Sequence, residues 1–250
     1  MKPNKIQIKK YFNLVFLIMI ALSIYILSDP SVNVMQDNTT RAKRNNSKNI
    51  TVFIDPGHGG FDPGKVGINN SLEKDINLSI SLKLKTILEQ NDIHVIMSRE
   101  DDRGLYADSD TRKKAADLRK RVEMINSSDA MVAVSIHQNS FEQESIKGAQ
   151  VFYYSGSEEG KEFAEIMQEQ LKKTLKDGNK RLAKANNNYY MLTKTKSPLV
   201  IIECGFLSNY TEAALLIDEA YQEKLAWSIH LGILSYINQS VKDGLSIDLR

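Results

Sequence analysis

The sequence predicts an α/β protein: a single domain with a mostly parallel central sheet flanked by helices, behind an N-terminal hydrophobic segment. Two observations predict this fold. From Ile50 onward, short apolar runs alternate with amphipathic helical patterns, which is typical of strands joined by helices. Three of the apolar runs also end at a metal-capable or proton-carrying residue, namely His58, His137 or Glu203. We therefore expect a site at the carboxyl edge of the sheet.

Composition is that of an ordinary globular protein. The 250 residues are 42% hydrophobic and 26% charged, which is ample apolar material for one core. The net charge of +2 is unevenly distributed, with +4 in residues 1–10, +2 in residues 29–50 and −4 in residues 51–250. Such a near-neutral to acidic body argues against general nucleic-acid binding, so we expect no nucleic-acid partner.

The N-terminal segment, residues 11–28, carries no charge and follows the basic flank of residues 1–10. This pattern fits either the core of a signal peptide or a short membrane anchor. Residues 27–30 make a poor cleavage site, so we favour an uncleaved anchor with the lysines inside. The rest of the chain, anchored or secreted, would then be extracytoplasmic. Residues 29–49, rich in Asn, Ser, Thr and basic side chains, are predicted as a flexible linker.

The predicted catalytic domain covers residues 50–238 and leaves 239–250 as a C-terminal tail. Its helices are indicated by apolar residues at helical spacing and its strands by short apolar runs. Within the helix predicted at 113–126, for example, Ala116, Leu118, Val122 and Ile125 are expected to face inward. In chain order the pattern predicts strand 52–54, helix 71–90, strand 93–97, helix 113–126, strand 130–136, strand 148–154, helix 158–175, strand 199–202, and one or two helices within 211–237.

The four histidines divide into two pairs. His58 lies in a glycine-rich turn and His137 ends a strand, both polar settings in which an imidazole can bind a metal. His94 lies inside a short predicted strand, and His230 lies in the middle of a helix. We interpret His94 and His230 as structural.

A third metal ligand is needed, because a hydrolytic zinc ion takes three protein ligands and keeps one position for water. Glu73 is the best candidate, since it opens the helix that follows the glycine loop. Spacing alone leaves an alternative open, a capping box in which Asn70 and Glu73 close the helix end. Asp55 and Asp62 are alternative candidates for the carboxylate ligand. Asp55 could instead orient His58 without binding the metal itself.

Glu203 follows a continuous apolar run, where an unpaired carboxylate would be costly in a closed core. It becomes reasonable beside a cation, or as a base with a raised pKa; a structural ion pair is the alternative. The single cysteine, Cys204, excludes an intramolecular disulfide. We interpret Cys204 as a small buried hydrophobe rather than a nucleophile.

Four motifs together resemble the zinc-dependent N-acetylmuramoyl-L-alanine amidases of the amidase-3 family: IDPGHGGFDPG, the helix-opening Glu73, SIHQNS and VIIECGFLSN. The resemblance covers about residues 50–238, in the order of the family. It implies that His58, Glu73 and His137 bind Zn²⁺ and that Glu203 is catalytic. It also implies the substrate, the peptidoglycan amide bond between the N-acetylmuramoyl lactyl group and L-alanine.

Within this family, a short catalytic domain behind a single anchor resembles the CwlD-type, germination-specific amidases that act on spore cortex. This likeness would place the protein in the forespore intermembrane space or cortex. Gln138 and Cys204 depart mildly from the family pattern, and no long autoinhibitory insert follows His137, so a regulatory protein partner is possible. Two alternatives are a zinc peptidase cutting within the stem peptide and an anchored wall-binding or partner-binding module without catalysis.

Overall fold

The structure, a computed structural model, describes residues 14–20, residue 25 and residues 50–247, with side chains as far as residue 241. The chain falls into two units, residues 1–48 and 49–250, which are described separately. In the first unit, residues 14–20 and Tyr25 are helical. Among the described residues there is no helix of sufficient length and apolarity to cross a membrane. The basic flank, most of segment 11–28 and linker 29–49 lie outside the described residues, and the proposed domain boundaries stay a prediction.

The second unit is built on a six-stranded sheet in the order β2-β1-β3-β6-β4-β5. Strands β2, β1, β3 and β6 run parallel, β4 pairs antiparallel with β6, and β5 runs parallel to β4. The strands are β1 Thr51–Pro56, β2 His94–Met97, β3 Val132–Asn139, β4 Gln150–Tyr153, β5 Lys184–Ala185 and β6 Leu199–Phe206. This confirms the predicted α/β domain with its mostly parallel sheet.

Helices cover both faces of the sheet, because alternate strand residues point to opposite sides. One face packs against α1, α3 and α6 through residues such as Val134, Ile80 and Phe163, and the other against α2 and α4 through residues such as Phe53 and Ile125. The helices are α1 Glu73–Glu89, α2 Lys113–Ser127, α3 Glu158–Leu175, α4 Tyr190–Lys194, α5 Tyr210–Leu216 and α6 Glu219–Ile247.

The core explains why α1 stands where it does. Ile80, Leu84 and Leu88 recur at helical spacing and are fully buried. Each such side chain contributes about 1.5–3 kcal/mol on burial. This packing fixes α1 against the sheet, and the first residue of α1 is Glu73. The amino end of α1 therefore presents Glu73 at a fixed place beside the carboxyl ends of the strands.

Several details differ from the sequence prediction. β3 and β6 continue beyond their predicted ends to Asn139 and Phe206, so that His137 and Glu203 lie within their strands, and α4 was not predicted. β5 was not predicted, because a strand of two residues leaves no periodic pattern. α6 continues to Ile247, beyond the predicted end at 237. The buried apolar residues that indicate the helix stop at Ile237, but each further residue of a helix that has already formed adds one hydrogen bond. Leu118 was expected to face inward but is 37% exposed, because it lies on the side of α2 that borders an open cleft.

Candidate active site

The carboxyl ends of β1, β3 and β6 meet at one edge of the sheet. β1 pairs with β3, and β3 pairs with β6. In the pairing of β3 with β6, His137 lies directly opposite Glu203. The turn that carries His58 is attached to the same edge, because the Gly57 N–H donates to the Ile136 carbonyl at 3.0 Å. The three apolar runs singled out in the sequence thus deliver their terminal residues to one cleft.

His58 occupies a backbone conformation that is unusual for a side-chain-bearing residue, with φ at +63°. Its Nδ1 lies 2.9 Å from Asp62 Oδ2, and its Nε2 lies 3.2 Å from Glu73 Oε1. With Nδ1 engaged by a carboxylate, Nε2 is the nitrogen directed at the cleft. Such an arrangement orients an imidazole for binding a metal.

Glu73 is the centre of the site. Its Oε1 lies 2.9 Å from His137 Nδ1 and also accepts the Gln138 N–H at 3.1 Å, while its Oε2 accepts the Lys65 N–H at 2.8 Å. Burial alone would raise the pKa of this carboxyl, but its hydrogen bonds to His137 and His58 hold the pKa well below the usual range. The residue is therefore a carboxylate at neutral pH.

The capping-box alternative for Glu73 is wrong. The N-cap of α1 is Leu72, and no side chain caps this helix end. Asn70 instead lies in a turn with φ at +64°, its N–H bonded to the Gly67 carbonyl. The carboxylate of Glu73 is thus directed at the two histidines.

The donor set fits a divalent metal. Atoms of His58, Glu73 and His137 capable of ligation all lie within 4.8 Å of one another. Two imidazoles and one carboxylate are a ligand set typical of catalytic zinc, and they leave a coordination position open. Both imidazoles converge on Glu73 Oε1, which places all three donors around one point. The three predicted ligands are brought together as expected.

Two glycines allow this convergence. A Cβ at Gly57 would lie 2.2 Å from the His137 ring, and a Cβ at Gly64 would lie 2.5 Å from Glu73 Oε2. Gly64 also has φ at +69°, which favours glycine. A side chain at either position would push a proposed ligand away from the others.

Glu203 lies in the same cleft but is 7% exposed, and its Oε2 has no hydrogen-bond partner in the described part of the chain. Burial raises the pKa of Glu203 to about 7; the nearby His137 lowers it in part, and Glu73 raises it further. A carboxyl with that pKa can both accept and release a proton near neutral pH. The cleft, of about 520 Å³, is also lined by Lys65 and Tyr189.

Asp55 does not contact His58, so its expected orienting role is wrong. Asp55 is fully buried below the site and accepts hydrogen bonds from Ser98 Oγ and Ser135 Oγ, each at 2.6 Å. The residue that contacts the imidazole of His58 is Asp62. Strand direction explains the difference, because Asp55 is still inside β1, whereas Asp62 returns to His58 through the glycine loop.

Arg121 is a functional support that the sequence analysis missed. Its guanidinium is buried and donates to Asp55 Oδ1 at 2.5 Å, to the Pro56 carbonyl at 2.8 Å and to the His58 carbonyl at 2.6 Å. It therefore fixes the backbone that carries His58. The sequence does indicate that Arg121 is buried, because Arg121 lies four residues before the inward-facing Ile125 and therefore on the apolar face of α2.

Arg99 supports the same turn from the other side and was also missed. Its guanidinium donates to the carbonyls of Pro56, Gly57 and Lys74 at 2.8–3.0 Å. Burial, followed by the charge of Arg121, lowers the pKa of Arg99 to about 10, so it remains a cation at neutral pH. No sequence pattern distinguishes Arg99, since it lies between the strand predicted at 93–97 and the helix predicted at 113–126, where the sequence shows no apolar periodicity.

The remaining candidates are placed as the sequence indicated. His94 is exposed on β2, and His230 is buried in α6 against Trp227, with ring centroids 5.2 Å apart. Burial lowers the pKa of His230. Cys204 is 1% exposed, and burial raises the pKa of its thiol far above neutrality, so it is an inert buried side chain.

Comparison with known proteins gives a consistent result. Residues 52–235 match the N-acetylmuramoyl-L-alanine amidase family known as amidase 3. A germination-specific N-acetylmuramoyl-L-alanine amidase of Bacillus subtilis is 40% identical over 191 residues, covering 75% of this chain and 80% of that protein.

Two solved structures from Clostridioides difficile agree with this fold. The CwlD amidase, solved in complex with the GerS lipoprotein, is 45% identical with a TM-score of 0.74, covering 76% of this chain and 99% of that one. An N-acetylmuramoyl-L-alanine amidase of strain 630 is 36% identical with a TM-score of 0.68, covering 76% and 98%. The present chain therefore belongs to the amidase-3 family and is an N-acetylmuramoyl-L-alanine amidase acting on peptidoglycan.

Proposed function

We propose that this amidase is zinc-dependent, with His58, Glu73 and His137 as the metal ligands and Glu203 as the catalytic proton carrier. The observation that carries the proposal is the convergence of both imidazoles on one oxygen of Glu73, beside the buried carboxyl of Glu203, whose Oε2 has no hydrogen-bond partner among the residues that the structure describes. When bound by such a set, zinc supplies a Lewis acid that polarises a carbonyl and lowers the pKa of water to about 7.

Glu203 performs the proton transfers. In its ionised form it accepts a proton from the water that attacks the lactyl carbonyl. Its raised pKa then allows it to return that proton to the L-alanine nitrogen as the amide bond breaks. The buried Oε2 lacks any competing hydrogen bond among the described residues, which leaves it available to water and substrate.

The surrounding residues hold this geometry. Asp62 keeps the Nε2 of His58 directed at the cleft, and Arg121 fixes the His58 backbone. The main-chain N–H groups of Lys65 and Gln138 hold the two oxygens of Glu73 in place. These contacts orient the ligand atoms before substrate arrives, which reduces the reorganisation needed during the reaction.

The test is digestion of purified peptidoglycan by the full chain, freed of metal with a chelator and resupplied with zinc, magnesium or nothing. We expect activity with zinc alone, stem peptides that begin with a free L-alanine amine, and glycan that carries free lactyl carboxylates. Newly exposed amines on other stem-peptide residues would instead support the zinc-peptidase alternative. Zinc binding without any turnover would support a non-catalytic wall-binding module.

We also propose a role in spore cortex maturation or germination. The support is the 40% identity to the germination-specific amidase of Bacillus subtilis. Expression of this chain in a Bacillus subtilis strain lacking that enzyme tests the role. We expect cortex muramic acid that lacks stem peptides to reappear and germination to recover. A catalytically active chain that leaves the cortex unchanged would limit the protein to other wall material.

Extracytoplasmic location and membrane attachment through residues 11–28 belong to the same proposal. The support is the uncharged segment behind a lysine-rich flank, and the nature of the substrate. We expect the full-length protein to sediment with membranes and to resist alkaline extraction. A soluble species beginning near residue 29 would show a cleaved signal peptide instead.

A regulatory protein partner is proposed from similarity, because the CwlD amidase was solved in complex with a lipoprotein. Purification of the full chain from detergent-solubilised membranes tests this idea. We expect a second protein to co-purify in a fixed ratio. Full activity of the isolated chain, with no second protein, would contradict it.

A further inference from the structure

An exposed aromatic ring stands beside the metal cleft. Phe61 is 50% exposed although it lies in the short loop that carries His58 and Asp62. The described mechanism makes no use of it. An exposed large apolar side chain next to a binding cleft is a candidate contact for a ligand.

Neighbouring side chains hold this ring in place. The Tyr106 ring packs edge-on against Phe61, with centroids 5.1 Å apart and an interplanar angle of 78°. The hydroxyl of Tyr106 also accepts the Phe61 N–H at 3.3 Å, and Lys113 Nζ lies 5.0 Å from the Tyr106 ring centroid. The two aromatic residues therefore form one braced unit.

The backbone before Phe61 is fixed as well. The Gly60 N–H donates to Asp102 Oδ1 at 2.9 Å, and the Gly60 carbonyl accepts from Lys74 Nζ at 2.9 Å. Lys74 Nζ in turn lies 2.6 Å from Asp102 Oδ2. Little conformational freedom would be lost if a ligand bound to Phe61, which favours binding.

Phe61 borders an open groove of about 500 Å³, whose lining also includes the polar side chains of Thr111, Arg112 and Lys114. Within the part of the chain that the structure describes, the side chains of Thr111 and Arg112 on its rim are exposed and make no hydrogen bond or ion pair. Lys114 lines both this groove and the metal cleft, with Nζ 2.9 Å from Asp62 Oδ1. The groove therefore adjoins the metal cleft at Lys114.

We propose that the Phe61 groove binds an N-acetylhexosamine ring of the glycan strand, next to the muramoyl residue whose amide is cleaved. The scissile amide is joined to a sugar of the glycan strand by the short lactyl group. Because this link is short, the glycan must lie along the border of the cleft when the amide is at the catalytic site. A sugar presents an apolar C–H face, which Phe61 can cover, and a hydroxyl rim, which Thr111 and Arg112 can reach. The identity of this ligand rests on the proposed function, but its binding does not require turnover.

Binding can be tested by fluorescence. Trp227 is the only tryptophan, and it does not line the groove. In the full chain carrying Trp227→Phe and Phe61→Trp, we expect N-acetylglucosamine oligomers to cause a saturable change in emission. The wild-type chain, with Trp227 as the reporter, serves as the control and should show none. An absence of response at Phe61→Trp would overturn the proposal, whether or not the enzyme is active.

Kinetics provide a second test. For Phe61→Ala we expect KM on long glycan strands to rise about tenfold, the loss typical of truncating an aromatic contact residue. The rise should be several-fold smaller on a monomeric muramoyl peptide, which has no flanking sugar. Phe61→Tyr, which keeps the ring, should restore KM on the long strands.

Controls separate glycan binding from stability. Tyr210 is 66% exposed and lines neither the metal cleft nor the Phe61 groove, so Tyr210→Ala should leave both KM values unchanged. Thermal unfolding of Phe61→Ala verifies that the variant is folded. An equal rise in KM on long and short substrates would overturn the proposal. An unchanged KM on both substrates would also overturn it and would favour a protein contact at the Phe61 ring.

Discussion

At the scale of single residues, Glu203 shows how a site can be recognised from its unfavourable environment. A carboxyl within a buried, mainly apolar strand such as β6 is costly unless it has a partner or a function. Within the described part of the chain, Glu203 Oε2 has no hydrogen-bond partner, and burial raises the pKa of the carboxyl to about 7. Cys204, the next residue, points to the opposite face of the sheet and is simply buried in the core. Neighbouring residues of one strand thus have opposite roles.

Replacing Glu203 by Gln tests its assigned role. The amide keeps the shape of the side chain but cannot accept a proton from water, so turnover should fall by about 10²–10⁴. Zinc content, measured by elemental analysis, should stay the same. Glu142→Gln, at an exposed position, is the matched control and should be silent. A metal-free Glu203→Gln would make Glu203 a ligand, and near-normal turnover would place the base elsewhere.

Two histidine variants test the metal ligands. His137→Ala removes a donor atom that lies 2.9 Å from Glu73 Oε1, so zinc and activity should be lost together while the fold survives. His94→Ala, at an exposed position on β2, should keep both. Circular dichroism and elemental analysis of the two variants measure the outcome. Stoichiometric zinc in His137→Ala would remove His137 from the ligand set.

At the scale of elements, the turn after β1 depends on buried ion pairing. Arg121 on α2 is paired with Asp55, the second-last residue of β1, and both side chains are buried. Arg121→Met should destabilise the protein by about 3–5 kcal/mol, because it leaves the charge of Asp55 buried without its partner. Arg119→Met, on the exposed side of α2, should change stability by less than about 0.5 kcal/mol. Urea unfolding compares them, and equal effects would contradict this account.

The same pair makes stability depend on acid pH. Burial alone would raise the pKa of Asp55, but Arg121 and the hydroxyls of Ser135 and Ser98 lower it from 3.8 to about 2. Between these values the unfolded chain binds a proton that the native state does not, so stability falls as pH falls. The loss attributable to Asp55 should reach about 2 kcal/mol. Asp55→Asn should abolish that component of the slope, and an unchanged slope would show that other carboxyls cause it.

At the scale of the whole molecule, the features that the sequence predicts are local or periodic. The main strands and helices follow from apolar spacing, and the four proposed site residues follow from strand ends and family motifs. The contacts that Arg99 and Arg121 make with residues 55–58 could not be predicted, because they join residues more than 40 positions apart. The contact of Asp62 with His58 could not be predicted either, because the course of the loop between them produces no periodic pattern in the sequence. Asp62 was therefore assigned a lesser role than Asp55. Contacts between residues that are far apart in the sequence can be identified only once the three-dimensional structure is known.

Metal binding should stabilise the whole domain, because a ligand that binds only the native state shifts the unfolding equilibrium. The three proposed ligands come from the turn after β1, the start of α1 and β3, so one ion would link three elements. At free zinc about 1,000 times the dissociation constant, the gain is about 4 kcal/mol, which corresponds to a Tm shift of roughly 8–16 °C. Differential scanning calorimetry with zinc and with a chelator measures the shift.

The control for this shift is His137→Ala, whose Tm should respond to neither zinc nor chelator. The chelated wild-type protein should still unfold in one cooperative step, since its core lies between the sheet and helices such as α1 and does not include the site. Loss of all cooperative unfolding on chelation would make the metal a structural element of the fold. An identical Tm for zinc-loaded and chelated wild type would instead show that His58, Glu73 and His137 do not hold the ion, whatever their geometry.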